Sequence, residues 1–164
     1  MSTMHDVFMK TAFLIAEKSH CVSHHVGTVI VKDSRIISMG YNGTPPKMGN
    51  CSDYFDKDNF DRAEHHAWSK DREVHSELNA LMFAVKNGLS VKGASLYVTI
   101  SPCNDCLKNI IMAGIKNIYY LYLYDLTEIN KDLAKLINIQ EVPGAEDIKQ
   151  FIEKNNLLYK CSCH

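Results

Sequence analysis

A histidine at the predicted start of one helix and a pair of cysteines at the predicted start of another constrain this chain more than any other feature. His75 precedes a helical repeat of apolar residues that ends near Asn87-Gly88. Cys103 and Cys106 open a second predicted helix, and residues three apart share one helix face. If these three side chains bind one ion, the fold has to bring two helix starts together.

Strands are predicted on both sides of these helices. Residues 26–31 and 35–41 are β-rich runs around a polar Lys32-Asp33-Ser34 turn, which is typical of a hairpin. Residues 94–100 and 118–124 also have strand character and enclose the helix predicted over 103–113. A strand, helix and strand in this order favour parallel pairing with a right-handed crossover.

Both ends of the chain are expected to be helical. The first helix is amphipathic, and the last follows Pro143-Gly144 after a further helix and a short strand. Together these elements predict an α/β fold of three layers, α-β-α, with a mixed sheet of about five strands. With 164 residues and 46% hydrophobic content, residues 1–164 are expected to form a single domain. A long insert at about 42–74, rich in glycine, proline and charge, is expected to be irregular and functional.

Composition narrows the function classes. A formal net charge of -1 gives no basic field for binding nucleic acid or an anionic membrane. No apolar run approaches the roughly 20 residues that cross a bilayer, so we expect a soluble protein. The N-terminus lacks the order of a secretory signal, which indicates the cytoplasm, or the host cytoplasm for a viral protein. In a reducing compartment, six cysteines and eight histidines favour metal binding over disulfides.

The residue types around His75 indicate a catalytic zinc site. One imidazole and two thiolates, from Cys103 and Cys106, fill three tetrahedral positions and leave the fourth for water. Glu77 lies two residues beyond His75, where it can reach the same cavity without binding the metal. The alternative is a closed structural site such as a zinc ribbon. Ribbons place their ligands on hairpin knuckles, whereas these ligands lie at predicted helix starts.

The sequence resembles a known enzyme family at several motifs. His75-Ser76-Glu77 and Pro102-Cys103-Asn104-Asp105-Cys106 match the H-x-E and P-C-x-x-C signature of zinc deaminases. Together with GYNG at 40–43, LYVTI at 96–100 and AGIKNIYY at 113–120, they resemble the deoxycytidylate deaminase branch of the cytidine deaminase superfamily. The likeness runs from the first helix to about residue 125. Ser76 replaces the usual alanine, at a position where the family uses the backbone N–H to bind the pyrimidine carbonyl.

The resemblance implies a cytidine deaminase-like fold and hydrolytic deamination of dCMP to dUMP for dTTP synthesis. Glu77 would take a proton from the zinc-activated water, pass it to ring N3 and then protonate the departing ammonia. Asn42 would contact the nucleotide, although Asn-Gly is also a frequent turn dipeptide. Tyr124 would stack over the base or pack beneath the last helix.

The resemblance also implies regulation and assembly. Tyr41, Gly43 and Lys86 resemble an allosteric site at which dCTP activates and dTTP inhibits, with Mg²⁺ accompanying the triphosphate. Taken alone, Lys86 is an ordinary solvated helix residue. Relatives of this kind usually form hexamers, so a homo-oligomer, preferably a hexamer, is expected.

A second zinc site is implied by some phage relatives. Cys21, Cys51, His65 and Glu73 occupy the corresponding places, and a metal there would tie the insert to the scaffold. Cys21 could instead be an ordinary buried thiol, and one of three other histidines could replace His65, namely His24, His25 or His66. The terminal Cys161-Ser162-Cys163-His164 is interpreted as a flexible tail, with adventitious metal binding as the lesser option.

Three other functions share part of the pattern. A tRNA adenosine deaminase has the same zinc motif but needs a basic surface, which the near-neutral charge opposes. A cytidine or cytosine deaminase uses the same chemistry, and spacing alone locates no phosphate-binding group. A non-catalytic zinc module is the alternative outside enzymology.

Overall fold

A computed structural model describes residues 3–124 and 128–157 of the chain. Within them, the α-helices are α1 (Met4–Ala16), α2 (Arg62–Arg72), α3 (Ser76–Lys86), α4 (Asn104–Met112), α5 (Lys131–Ala134) and α6 (Ala145–Lys154). The strands are β1 (Gly27–Lys32), β2 (Arg35–Tyr41), β3 (Ser95–Ile100), β4 (Asn117–Tyr122) and β5 (Asn138–Glu141). A 3₁₀ turn spans Cys51–Asp53. The terminal Cys161–His164 segment lies outside the described residues.

The strands form one mixed sheet in the order β2-β1-β3-β4-β5. β1 pairs antiparallel with β2 and β3, whereas β3, β4 and β5 run parallel. One apolar layer lies between the sheet and helices α1 and α6, and it includes Met9, Val29 and Ile148. The other lies between the sheet and helices α3 and α4, and it includes Ile30, Leu81 and Leu107. The prediction of a three-layer α/β fold with about five strands is confirmed.

Gly40 positions helix α3 against the edge of the sheet. A Cβ atom at this residue would lie 2.5 Å from the backbone oxygen of Ser76 and the backbone nitrogen of Ala80. Only glycine allows so close a backbone approach without displacing the helix. The start of α3 is therefore fixed close to β2, which places the residues that follow His75 beside the sheet.

The insert differs from the prediction because it contains a regular helix. α2 is capped by Asp61, whose side chain accepts a hydrogen bond from the backbone N–H of Glu64 at 2.8 Å. Only His65 among its residues is buried, and its sequence has no repeat of large apolar residues at helical spacing. A helix that is polar on nearly every face gives no periodic signal, which is why the sequence did not reveal it.

In the part of the chain that the structure describes, no helix combines the length and the apolar character required to cross a membrane.

Candidate active site and metal centres

The first metal centre joins the starts of helices α3 and α4, and we call His75, Cys103 and Cys106 the helix-start cluster. His75 is the N-cap of α3, Cys103 is the N-cap of α4, and Cys106 lies in the first turn of α4. His75 Nδ1 lies 3.5 Å from Cys103 Sγ and 3.4 Å from Cys106 Sγ. Ligands of a tetrahedral zinc ion are separated by about 3.6 Å for one nitrogen and one sulfur, from the usual bond lengths. The donor atoms therefore fit one zinc ion.

The protonation of this cluster also suits a metal. The pKa of Cys103 falls to about 4, because the Cys106 thiol donates a hydrogen bond to it and His75 adds a second. The same contact with Cys103 raises the pKa of His75 to about 9. The pKa of Cys106 is raised, since its proton is held by Cys103. The cluster thus holds protons that a metal ion would displace on binding.

Glu77 places a carboxyl group next to the helix-start cluster. The residue is 4% exposed and lies in the first turn of α3. Burial raises the pKa of its carboxyl group, while the nearby His75 opposes this effect. Because the set of mutually close ligand atoms contains His75, Cys103 and Cys106 but not Glu77, the carboxyl group is a neighbour of the metal position.

The helix-start cluster and Glu77 line a cavity of about 740 Å³. All three residues predicted to bind substrate, Asn42, Ser76 and Tyr124, lie on its wall. The Asn42 side chain accepts from the Val26 backbone N–H and donates to the His24 carbonyl, both at 2.8 Å. Asn42 is therefore held in a fixed orientation at the cavity wall, and an amide retains one further donor and one further acceptor position.

Helix α2 adds basic side chains to the same cavity that the sequence did not indicate. Arg62, His66 and Lys70 all line it, and their spacing of four residues places them along one helix face. The pKa of His24 is lowered first by burial and then by the charge of Arg62, so the two side chains lie near each other. The signal for this basic row was its spacing, which is visible only once α2 is known to be helical.

The second centre ties the insert to the end of α1, and we call Cys21, Cys51 and His65 the insert cluster. His65 Nε2 lies 3.6 Å from Cys21 Sγ and 3.2 Å from Cys51 Sγ. The three residues are 4%, 1% and 6% exposed, respectively. These separations again suit ligands of one zinc ion.

The structure brings His65 to the two cysteines, and the other histidines considered for this place lie elsewhere. His66 is exposed on α2. His24 Nδ1 is hydrogen-bonded to Ser23 Oγ at 2.7 Å, and His25 Nε2 to the Cys21 carbonyl at 2.9 Å.

Glu73 lies beside the insert cluster but outside its set of mutually close ligand atoms. Ser69 Oγ donates a hydrogen bond to Glu73 Oε2. Glu73 Oε1 is buried and finds no hydrogen-bond partner among the residues that the structure describes. After burial, the charge of Glu73 is the second cause that raises the pKa of Cys21 to about 12. A buried, unpartnered carboxylate oxygen close to three ligands fits a fourth metal ligand.

The residues predicted to bind effectors lie away from the active-site cavity. Tyr41 is exposed at the end of β2, and Lys86 is exposed in the last turn of α3. Gly43 pairs with Val74 through two backbone hydrogen bonds of 3.1 and 2.8 Å. None of the three lines the cavity.

Comparison with known proteins places this architecture in a family. Residues 2–122 match the family model described as the cytidine and deoxycytidylate deaminase zinc-binding region. The deoxycytidylate deaminase of Enterobacteria phage T4 is 39% identical, over 71% of this chain and 77% of the relative. That of Homo sapiens is 43% identical, over 71% and 63% of the two chains. The solved structure of the dCMP deaminase from cyanophage S-TIM5 in complex with dCMP and dUMP is 32% identical, with a TM-score of 0.71, over 87% of this chain and 99% of that one. The chain therefore belongs to the cytidine and deoxycytidylate deaminase family, which confirms the resemblance found in its sequence motifs.

Proposed function

We propose that this chain hydrolyses dCMP to dUMP and ammonia, and so supplies dUMP for dTTP synthesis. The observation that carries the proposal is the buried carboxyl group of Glu77 beside the three donor side chains of the helix-start cluster, on the wall of one cavity. The deoxycytidylate deaminases of phage and mammals at 39% to 44% identity support the choice of substrate.

His75, Cys103 and Cys106 would hold the catalytic zinc. When bound, zinc supplies Lewis acidity that makes a water molecule acidic enough to act as a nucleophile near neutral pH. Two thiolates nearly cancel the charge of the ion and weaken this effect. A carboxylate that accepts a proton from the water therefore matters more here than in an all-histidine site.

Glu77 is the group that moves the protons. As water adds to C4 of the cytosine ring, the carboxylate accepts a proton from the water and delivers it to ring N3. It then takes the remaining hydroxyl proton and delivers it to the amino group, so that the C4–N bond breaks and ammonia leaves. Burial suits this role, because the raised pKa of Glu77 brings the protonated and ionised forms closer in free energy.

The remaining wall of the cavity would orient the nucleotide. We assign the backbone N–H of Ser76 to the pyrimidine carbonyl, Asn42 to the sugar side and Tyr124 to the face of the base. The basic row of α2 supplies charge for the 5′-phosphate, with Arg62 as the strongest candidate because guanidinium groups bind phosphate through two parallel hydrogen bonds.

The insert cluster would hold a second, structural zinc through Cys21, Cys51 and His65, with Glu73 as the fourth ligand. Three buried donors and the unpartnered Glu73 oxygen support this assignment. The four cysteines in the described part of the chain form no disulfide, so their sulfur atoms are available as metal ligands.

The test is a turnover panel on zinc-loaded protein with dCMP, deoxycytidine, CMP and a tRNA anticodon arm. We expect dCMP to give the highest kcat/KM, and Glu77→Gln to abolish the signal in the same preparation. Preference for deoxycytidine would replace the proposal by nucleoside deamination, and preference for the tRNA arm by RNA editing. A folded, zinc-loaded protein without turnover on any of the four would favour a non-catalytic zinc module.

Regulation and assembly form a second part of the proposal. We propose that Tyr41, Gly43 and Lys86 contribute to a site where dCTP with Mg²⁺ activates and dTTP inhibits, in a homo-oligomer and preferably a hexamer. Exposed apolar side chains on β2 and α3, among them Met39, Phe83 and Val85, support an interface between subunits. Light scattering and dCMP saturation curves with each effector test both points. A monomer with hyperbolic, effector-independent kinetics would overturn them.

A further inference from the structure

A chain of two buried hydroxyl groups ends on the carboxyl group of Glu77. Thr28 Oγ1 lies 2.7 Å from Ser76 Oγ, and Ser76 Oγ lies 3.0 Å from Glu77 Oε2. Both hydroxyl residues are completely buried. Thr28 is the second residue of β1 and Ser76 is the first residue of α3, so the contact joins the sheet to the helix that carries Glu77.

We propose that Ser76, backed by Thr28, is a positioning residue that holds Glu77 Oε2 and leaves Oε1 as the oxygen that exchanges protons. The proposal rests on the proposed function of Glu77 in deamination.

The direction of the hydrogen bonds follows from counting donors. An ionised carboxylate only accepts, so Ser76 has to donate its single hydroxyl proton to Glu77 Oε2. Ser76 Oγ can then only accept from Thr28, and Thr28 Oγ1 is the donor of that pair. The sheet therefore orients the Ser76 hydroxyl, and the hydroxyl orients one carboxylate oxygen. Without this contact, the hydrogen bond from the backbone N–H of Glu77 is the other hydrogen bond that restrains the carboxylate, and we expect its two oxygens to be less strictly distinguished.

The consequence is a change in kcat rather than in KM. Ser76→Ala removes the hydroxyl but leaves the backbone and the start of α3 in place. We expect kcat on dCMP to fall about tenfold, the size of one hydrogen bond to a charged group at the low end of its range, with KM changed less than twofold.

Thr28 gives the second arm of the experiment. Thr28→Val should lower kcat about threefold, as expected for a weaker, neutral hydrogen bond, whereas Thr28→Ser, which keeps the hydroxyl, should recover this loss. In the Ser76→Ala background, Thr28→Val should have no further effect on kcat, because the hydroxyl that it orients is gone. Ser38→Ala is the matched control: Ser38 is also buried and donates to the Ala80 carbonyl of α3 at 2.6 Å, without reaching Glu77.

Crystal structures of the zinc-loaded wild type and Ser76→Ala give a readout that does not depend on the substrate. We expect one Glu77 rotamer in the wild type and a rotated or divided carboxylate in the variant. An unchanged Glu77 rotamer in Ser76→Ala overturns the proposed positioning role of Ser76. So does a Thr28→Val effect on kcat that multiplies with the effect of Ser76→Ala. Absence of wild-type turnover on dCMP would instead count against the proposed function, while the crystallographic comparison would still test whether Ser76 positions the Glu77 carboxylate.

Discussion

The helix-start cluster and the insert cluster use the same ligand types on two different kinds of scaffold. His75, Cys103 and Cys106 stand at the ends of regular helices, against the apolar layer of the sheet, and face a cavity. Cys21, Cys51 and His65 are buried, and they join a loop, a 3₁₀ turn and a polar helix. Cys21 and His65 also border the same cavity.

The insert cluster lies where an apolar core is missing. Between residues 43 and 72, all of which the structure describes, only Cys51 and His65 are buried. Half-buried aromatic rings add contacts, including Phe55 and Phe60 against His65 at 5.2 and 5.1 Å between centroids. The same ligand types can therefore have two roles. On a rigid scaffold they can leave one coordination position open for chemistry, whereas in a segment without an apolar core a bound metal can provide the stabilisation that the core would otherwise give.

The largest effect is expected beside the helix-start cluster. Glu77→Gln preserves the shape of the side chain but removes the proton acceptor, so kcat on dCMP should fall by about 10²- to 10⁴-fold. Zinc content, measured by mass spectrometry of the metal, should equal that of the wild type because Glu77 is not among the ligands. Near wild-type turnover would remove Glu77 from the mechanism.

The next effect separates the two clusters. Cys51→Ser should release the proposed structural zinc and loosen the insert. The free energy of unfolding should fall by roughly 3 kcal/mol and Tm by roughly 6 to 12 °C. Because α2 forms part of the cavity wall, KM for dCMP should also rise. Calorimetry, metal content and limited proteolysis within residues 43–72 measure these changes.

Cys106→Ser provides the reciprocal control. It should remove catalytic zinc and turnover while the insert remains protected from protease. One zinc per chain in fully loaded wild-type protein, or an unchanged Tm in Cys51→Ser, would contradict the structural role of the insert cluster.

The contrast between the clusters also explains what the sequence could reveal. The helix starts at His75 and Cys103 were predictable, because apolar periodicity marks the helices and the motif marks the ligands. α2 was not, since a polar helix carries no period, and the basic row along it was hidden for the same reason. The choice of His65 over its neighbours depends on the path of the insert in space. The contact between Thr28 and Ser76 joins residues 48 positions apart and leaves no local pattern in the sequence.

The insert contributes charge to the cavity as well as the ligands of the proposed structural zinc, and a variant of Arg62 separates these two contributions. Arg62→Gln leaves both clusters intact but removes a cation from the cavity wall. We expect KM for dCMP to rise about tenfold, in line with the loss of one charge-assisted hydrogen bond. Deamination of deoxycytidine, which has no phosphate, should be unchanged.

Arg35→Gln is the matched control, because Arg35 is exposed on β2 and does not line the cavity. Equal losses on dCMP and deoxycytidine in Arg62→Gln would show that Arg62 supports the cavity without contacting phosphate.

The smallest effect on turnover, and the sharpest on the insert cluster, is expected from Glu73→Gln. If Glu73 is only a neighbour, removing its charge lowers the pKa of Cys21, favours the thiolate and leaves zinc affinity equal or higher. If Glu73 is the fourth ligand, the amide is a poorer donor and zinc affinity falls, by about 10- to 100-fold on the scale of ligand-shell losses. The two roles thus predict opposite signs, and we expect the loss. Competition with a chelator measures the affinity, with Glu64→Gln on the exposed face of α2 as control. Glu73 also lines the cavity, and its charge is the smallest of the causes that raise the pKa of His75, so kcat at saturating zinc should change only slightly. A zinc affinity equal to or above that of the wild type would remove Glu73 from the ligand set.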